Sequence, residues 1–341
     1  MQLTTETPSG QSEPSGENAS NPDSAKDSRQ GKDSARGDMI NLIRGFCMGA
    51  ADTVPGVSGG TVALVLGHYQ RLLGAISQFD STALKLLLGG RFAELWKHCD
   101  LRFVMALGVG IVVGAGSLAS TMHWLLEHRM PETFAVFFGL VLASGWIVAC
   151  WIKRWSLAAV LFLAAGTAFA FWLSGLATGE SSQRGVYIFA SAAIAICAMI
   201  LPGISGAFVL LLLGMYHPII GMIKQFVHLD ISASLVFNLC LFAAGCVTGL
   251  LVFSRLLKWL LRFYPDLTMA ALLGLMIGSL RRIWPLQKVT DATAELPFKE
   301  QQFAIVSPSN WDGNVTFLAV LAVAAVVIVL AIERFAEKKL A

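Results

Sequence analysis

Two stretches carry residue types that can do chemistry: Val54-Pro55-Gly56-Val57-Ser58-Gly59-Gly60-Thr61 and Leu201-Pro202-Gly203-Ile204-Ser205-Gly206-Ala207. In each, glycine lets the backbone approach a partner closely. A serine adds a hydroxyl, and a helix start adds free backbone N–H groups, a combination that suits an anion such as phosphate. Gly56, Ser58, Gly59, Gly60, Thr61, Gly203, Ser205 and Gly206 are therefore candidate phosphate-binding residues. Neither stretch is a nucleotide P-loop, because no Lys-Ser or Lys-Thr follows the glycines. The six His and six Cys are dispersed, with no HExxH and no paired Cys spacing, so metal, disulfide or triad chemistry has no visible seat. No cofactor is expected, and nothing points to nucleic acid.

Charged groups inside apolar segments are costly unless paired or facing water. Arg44 and Asp52 lie in such a segment. Arg44 is a candidate phosphate ligand. Asp52 is a candidate site for a coupling H+ or Na+, or else one half of a structural ion pair with Arg44; snorkelling of Arg44 to the nearby surface is a further reading. Arg281-Arg282, before Trp284-Pro285, ends an apolar run. These two arginines are candidates for an outer headgroup contact, although an interfacial anchor is the simpler reading. Tyr69 and Tyr216 read as interface anchors too.

The elements that must position these residues are membrane helices. With 55% hydrophobic residues, 14% charged, 32 Gly and a mean hydropathy of +0.66, the chain is a polytopic membrane protein. The two stretches belong to a repeat. At a constant offset of 147 positions, as from Pro55 to Pro202, the Pro, both Gly and the Ser coincide, followed by Gly67 with Gly214, Tyr69 with Tyr216 and Ile76 with Ile223. Farther on the offset becomes 135, pairing Gly110 with Gly245, Gly114 with Gly249, Gly139 with Gly274 and Ser144 with Ser279. The first half thus carries an insertion, which falls in its basic surface segment. A lone Gly-rich turn in a membrane helix more often serves helix packing than a ligand. Its duplication reverses that preference, since paired interruptions of apolar segments mark binding sites.

The expected fold is all-α, with two repeats of one plan. A polar tail, 1–38, carries seven acids and four bases and is expected to be disordered and cytoplasmic. Repeat 1, residues 39–176, is a re-entrant hairpin at 39–76, a basic surface segment at 77–102, and spans at 103–125, 133–151 and 157–176. Repeat 2, residues 186–335, is a hairpin at 186–223 with spans at 234–262, 267–284 and 315–334. Tilted or kinked spans remain the alternative to re-entrant hairpins. Each half crosses an odd number of times, so the repeats are expected to be inverted, with both termini cytoplasmic.

The string from Arg44 to Thr61, including Ala51-Asp52-Thr53-Val54-Pro55-Gly56-Val57-Ser58-Gly59-Gly60, with Gly67 and Tyr69 behind it, resembles a bacterial family long called domain-of-unknown-function 368. Leu201 to Gly206 and the Trp284-Pro285 span end are similar to it as well, and the likeness covers about residues 38–335. The resemblance implies a polyprenyl-phosphate transporter that returns undecaprenyl phosphate from the outer to the inner leaflet of the cytoplasmic membrane for envelope synthesis. Two other classes compete. A small-anion channel would use the glycine turns as a constriction. An integral-membrane lipid phosphatase is disfavoured, because no nucleophile with a base and no paired carboxylates can be assembled from the polar residues of the spans.

Overall fold

A computed structural model describes residues 35–53, 58–176, 184–290, 295 and 303–338. Gly56 and most of the polar tail lie outside them. The first hairpin consists of α1 (Ala35–Asp52), α2 (Gly59–Val65) and α3 (Tyr69–Ser77). Two short helices follow, α4 (Ser81–Leu88) and α5 (Phe92–His98), then α6 (Leu101–His128), α7 (Met130–Trp151) and α8 (Leu157–Leu173). The second half holds α9 (Gly185–Ile200), α10 (Gly206–Leu212), α11 (Tyr216–Val227), α12 (Ala233–Phe263), α13 (Pro265–Ser279) and α14 (Val315–Lys338). Helix α1 begins at Ala35, inside the stretch expected to be disordered. Its first turn is tied down by Arg102, whose Nη2 donates to Asp38 at 2.7 Å.

The fold is predominantly helical, not wholly so. β1 (Gln287–Val289) and β2 (Phe303–Ile305) pair antiparallel, with Lys288 opposite Ala304. Strands of three residues are too short to leave a periodic signal in the sequence. A second departure concerns the far arm of each hairpin, which is not one helix. It breaks at Leu66–His68 and again at Leu213–Met215. Gly67 (φ +71°) and Gly214 (φ +66°) adopt the left-handed conformation there, which a side chain would oppose. At the second break the chain turns by 111° between α10 and α11.

Among the described residues, α6, α7 and α12 are long and apolar enough to cross a membrane. Helices α8, α9 and α13 are shorter apolar helices, as is the Val315–Ala331 part of α14. The 15 residues of α13 rise only about 22 Å, less than the roughly 30 Å hydrocarbon layer. That helix lies between α7 and α8 and buries ten of its residues, from Thr268 to Ser279, so protein rather than lipid surrounds it. The molecule is a multi-pass membrane protein.

Helix contacts come in matched sets. Helix α1 packs along α6 as α9 packs along α12, and α8 packs on α13 as α14 packs on α7. The repeat-matched glycines sit at these crossings. A Cβ on Gly110 would lie 2.2 Å from the Leu42 carbonyl oxygen, and one on Gly245 would lie 2.3 Å from that of Phe189. A Cβ on Gly139 would lie 2.2 Å from Ala322 O, and one on Gly274 2.2 Å from Leu163 O. Small residues at such points allow helix backbones to touch, which is how helices associate where no hydrophobic force separates them from lipid.

Polar contacts gather at the two ends of the bundle. At one end Arg255 donates to Phe79 O (2.9 Å), Lys258 to Ser77 Oγ (3.0 Å), and the Lys153 N–H to Asp266 (3.0 Å). At the other, Arg281 donates to Phe171 O at 3.0 Å, and Lys288 pairs with Asp312.

Candidate functional site

The site begins with three carbonyls that α9 cannot satisfy. A helix leaves its last C=O groups without intrahelical donors. After α9 the chain enters Pro202, which has no N–H to offer. Residues of the first hairpin fill that need. The Ser58 hydroxyl shares its proton between Met199 O and Leu201 O, each at 3.3 Å, and Tyr69 donates its phenol proton to Ile200 O at 3.0 Å. In return the Gly203 N–H donates to Thr61 Oγ1 at 2.9 Å. Gly60 makes the approach possible, since a Cβ there would lie 2.6 Å from Ile200 O. Ser58, Thr61 and Tyr69 are all buried. The residues that follow the first Pro-Gly motif therefore meet the second turn directly and exchange hydrogen bonds with it.

The described residues on either side of the first turn also bond within their own hairpin. Thr53 donates from its hydroxyl to Ala50 O at 2.6 Å, closing the end of α1. Ser58 takes an extended conformation and accepts from the Gly60 N–H at 3.1 Å, and Asp52 accepts from the Gly59 N–H at 2.6 Å. Asp52 thus holds the start of α2. The ion pair with Arg44 does not form; Arg44, half-buried, lies 3.5 Å from Asn41 Oδ1. Tyr69 likewise proves to be part of the junction between turns and not an interface anchor. Its only sequence signal was the match to Tyr216, which does not reveal a partner.

The second turn is different. Gly203 has φ +84°, and a Cβ on it would lie 2.9 Å from Ser279 Oγ. The Ser205 side chain caps nothing. It faces a narrow cleft lined by Ala170, Leu173, Ser174, Gly203, Ile204, Phe208 and Arg282. No described residue of the first turn lines that cleft, so Ser58 and Ser205 do not share a cavity. Of the paired arginines, Arg281 is committed to Phe171, bonding its carbonyl and lying 4.3 Å from its ring centroid. Arg282 instead lines the cleft and lies 4.6 Å from the centroid of Phe208.

Sequence reasoning also missed His68. It is buried, its Nε2 lies 3.2 Å from Met48 Sδ, and its Nδ1 has no partner among the described residues. It stands between the repeat-matched Gly67 and Tyr69, but its own counterpart in the second half is Met215, so the repeat did not single it out. Beside it Arg71 makes a two-point contact with Asp100, at 2.8 and 3.2 Å, and lies over the Phe103 ring.

Interrupted helices that meet inside an apolar bundle, with the freed backbone groups satisfied by protein, are the architecture of secondary membrane transporters. Known proteins narrow that class. A family model described as undecaprenyl phosphate translocase-like matches residues 48–300. A polyprenyl-phosphate transporter of Vibrio cholerae is 39% identical over 308 residues, which is 87% of this chain and 96% of that protein. A polyprenyl-phosphate transporter of Staphylococcus aureus is 29% identical over 265 residues, 72% of this chain and 86% of the relative. No solved structure matches the chain at a significant level. The chain belongs to the undecaprenyl phosphate translocase-like family.

Proposed function

We propose that this protein moves undecaprenyl phosphate, or a closely related polyprenyl phosphate, from the outer to the inner leaflet of the bacterial cytoplasmic membrane by alternating access. The observation that carries the reading is the direct exchange of hydrogen bonds between Ser58 and Thr61, just after the first Pro-Gly motif, and the second Pro-Gly turn within an apolar bundle; the names of the relatives supply the substrate class. A phosphate crossing a membrane must meet oriented donors throughout its path, since each unmet polar group there costs several kcal/mol. The turns concentrate such donors. In the present conformation the Ser58 hydroxyl and the Gly59 and Gly60 N–H groups are spent on protein acceptors, which closes that part of the path. Separating the turns frees the Ser58 hydroxyl and the Gly203 N–H for a phosphate oxygen.

The two halves act as inverted repeats that rock against each other, with both termini cytoplasmic. Supporting this are the odd number of crossings that the apolar segments of each half lead one to expect and the reciprocal packing of α8 on α13 and α14 on α7. Arg44 serves the phosphate as a fixed charge on the inner side of the turns. Asp52, at the same junction, carries a coupling H+ or Na+. Asp52→Asn keeps an oxygen to accept from the Gly59 N–H, so the variant should fold and lose any dependence of transport on an imposed ion gradient.

The deciding experiment measures leaflet-resolved accessibility of undecaprenyl phosphate in vesicles with and without the protein. Equilibration only in its presence is expected. Flux of a soluble anion in vesicles that contain no lipid phosphate would favour a channel instead.

A further inference from the structure

We propose that Arg282, with Ser205 and Ser174, forms a separate receiving station for a phosphate monoester, on the far side of the turn-to-turn junction from Arg44. The proposal rests on the transport reading and adds the place where the headgroup first docks. Arg282 follows the end of α13, and Ala170, Leu173 and Ser174 belong to the end of α8, so the cleft lies at the end of the bundle that also holds Arg281 and Phe171. Arg44 stands toward the opposite end, six residues beyond Asp38, which binds Arg102 at the start of α6. The two cations therefore bracket the junction.

The Arg282 guanidinium is enclosed, although part of its side chain remains accessible. Among the described residues no carbonyl or carboxylate accepts from it. An enclosed cation without a counter-charge is unfavourable until an anion arrives. Phe208 covers one face of the ion, and because guanidinium N–H groups lie in the plane, stacking leaves the edge free for the two-point contact that a phosphate favours. Phe208 stands 147 positions after Thr61. The repeat thus places an aromatic partner for Arg282 where the first half has a hydroxyl that accepts from the other turn. Ser205 has its hydroxyl proton unspent, and Ser174, which already donates to Ala170 O at 2.7 Å, can still accept from a protonated phosphate oxygen. The free space is about 10 Å³, room for one water. Phosphate therefore enters only when the second turn draws away from α8, as the rocking of the halves requires.

The phosphate monoester could belong to a lipid or be inorganic phosphate, and binding to the purified full-length protein in nanodiscs separates the two. The probes are undecaprenyl phosphate, undecaprenol and inorganic phosphate. Arg282→Gln should weaken undecaprenyl phosphate about ten- to a hundred-fold, the size expected for charge-assisted hydrogen bonds, and leave undecaprenol unchanged. Arg282→Lys should restore part of the loss. Lys288→Gln, which removes an exposed charge at the same end, should stay within about two-fold of wild type. Folded Arg282→Gln protein that binds undecaprenyl phosphate like wild type overturns the station. Should that variant not fold, Ser205→Ala decides: roughly ten-fold weaker binding supports the station and unchanged affinity overturns it. Inorganic phosphate bound as tightly as the lipid overturns the lipid assignment. A wild-type protein that neither binds nor moves the lipid overturns the transport reading itself, whereas wild-type transport that Arg282→Gln leaves intact overturns the station alone.

Discussion

Ser58 and Ser205 occupy the same place in their repeats and do different work. Ser58 has its hydroxyl fully engaged, capping Gly60 and satisfying carbonyls at the end of α9, whereas Ser205 caps nothing and faces the cleft beside Arg282. The difference follows from what each broken helix leaves unpaired. Thr53 satisfies one carbonyl near the end of α1 from within its own hairpin, whereas α9 runs into Pro202 and relies on the other half. Thr61→Val should thus strand the buried Gly203 N–H and destabilise the protein by about 1–3 kcal/mol, read as a lower thermal midpoint of the detergent-solubilised protein. A midpoint equal to wild type would show that this hydrogen bond is dispensable. Arg44 offers a prediction of the other kind. Arg44→Gln should abolish lipid transport while leaving insertion and folding intact, and Arg44→Lys should rescue only in part, lacking the planar fork. Wild-type transport by well-expressed Arg44→Gln protein would remove Arg44 from the site.

Glycine crossings set how closely the elements approach. Gly110 on α6 and Gly245 on α12 touch helices of their own repeats, whereas Gly139 on α7 and Gly274 on α13 touch helices of the other half. A side chain at any of them must push two backbones apart. Gly108, on another face of α6, meets nothing within 4 Å. Gly110→Ala should lower the thermal midpoint sharply, by the strain and repacking of overfilled sites, roughly 1–3 kcal/mol. Gly108→Ala should be neutral or raise it slightly, because alanine favours the helix by about 0.5–1 kcal/mol. Equal behaviour of the two variants would mean that α1 and α6 do not pack closely.

At the scale of the whole molecule, the polar ends of the bundle and the proposed inverted arrangement give a single expectation for sidedness. The Ser77–Phe79 end, with Lys153, Arg255 and Lys258, should face the cytoplasm. The segment with β1, β2 and Ser309 should face outside. Single cysteines at Ser81 and at Ser309, both exposed, should react with an impermeant thiol reagent from opposite sides of the membrane. Labelling of both from one side would defeat the inverted model.

Much of this protein is written in its one-dimensional pattern, because the bilayer imposes simple rules. Apolar length marks the helices, since lipid admits only backbones whose polar groups are satisfied. The Pro-Gly interruptions and their repetition at a fixed offset mark the places where that rule is broken twice, and therefore the candidate site. Local sequence could not say which group satisfies which. That Ser58, Thr61 and Tyr69 answer the end of α9, that Asp52 holds α2 instead of pairing with Arg44, and that Arg282 but not Arg281 turns toward the second Pro-Gly turn are matters of distance between segments far apart in the chain. Hydrogen bonds and ion pairs act over about 3 Å, so their partners are decided only when the helices have packed, and the repeat, which makes the halves equivalent in sequence, conceals that the two turns differ.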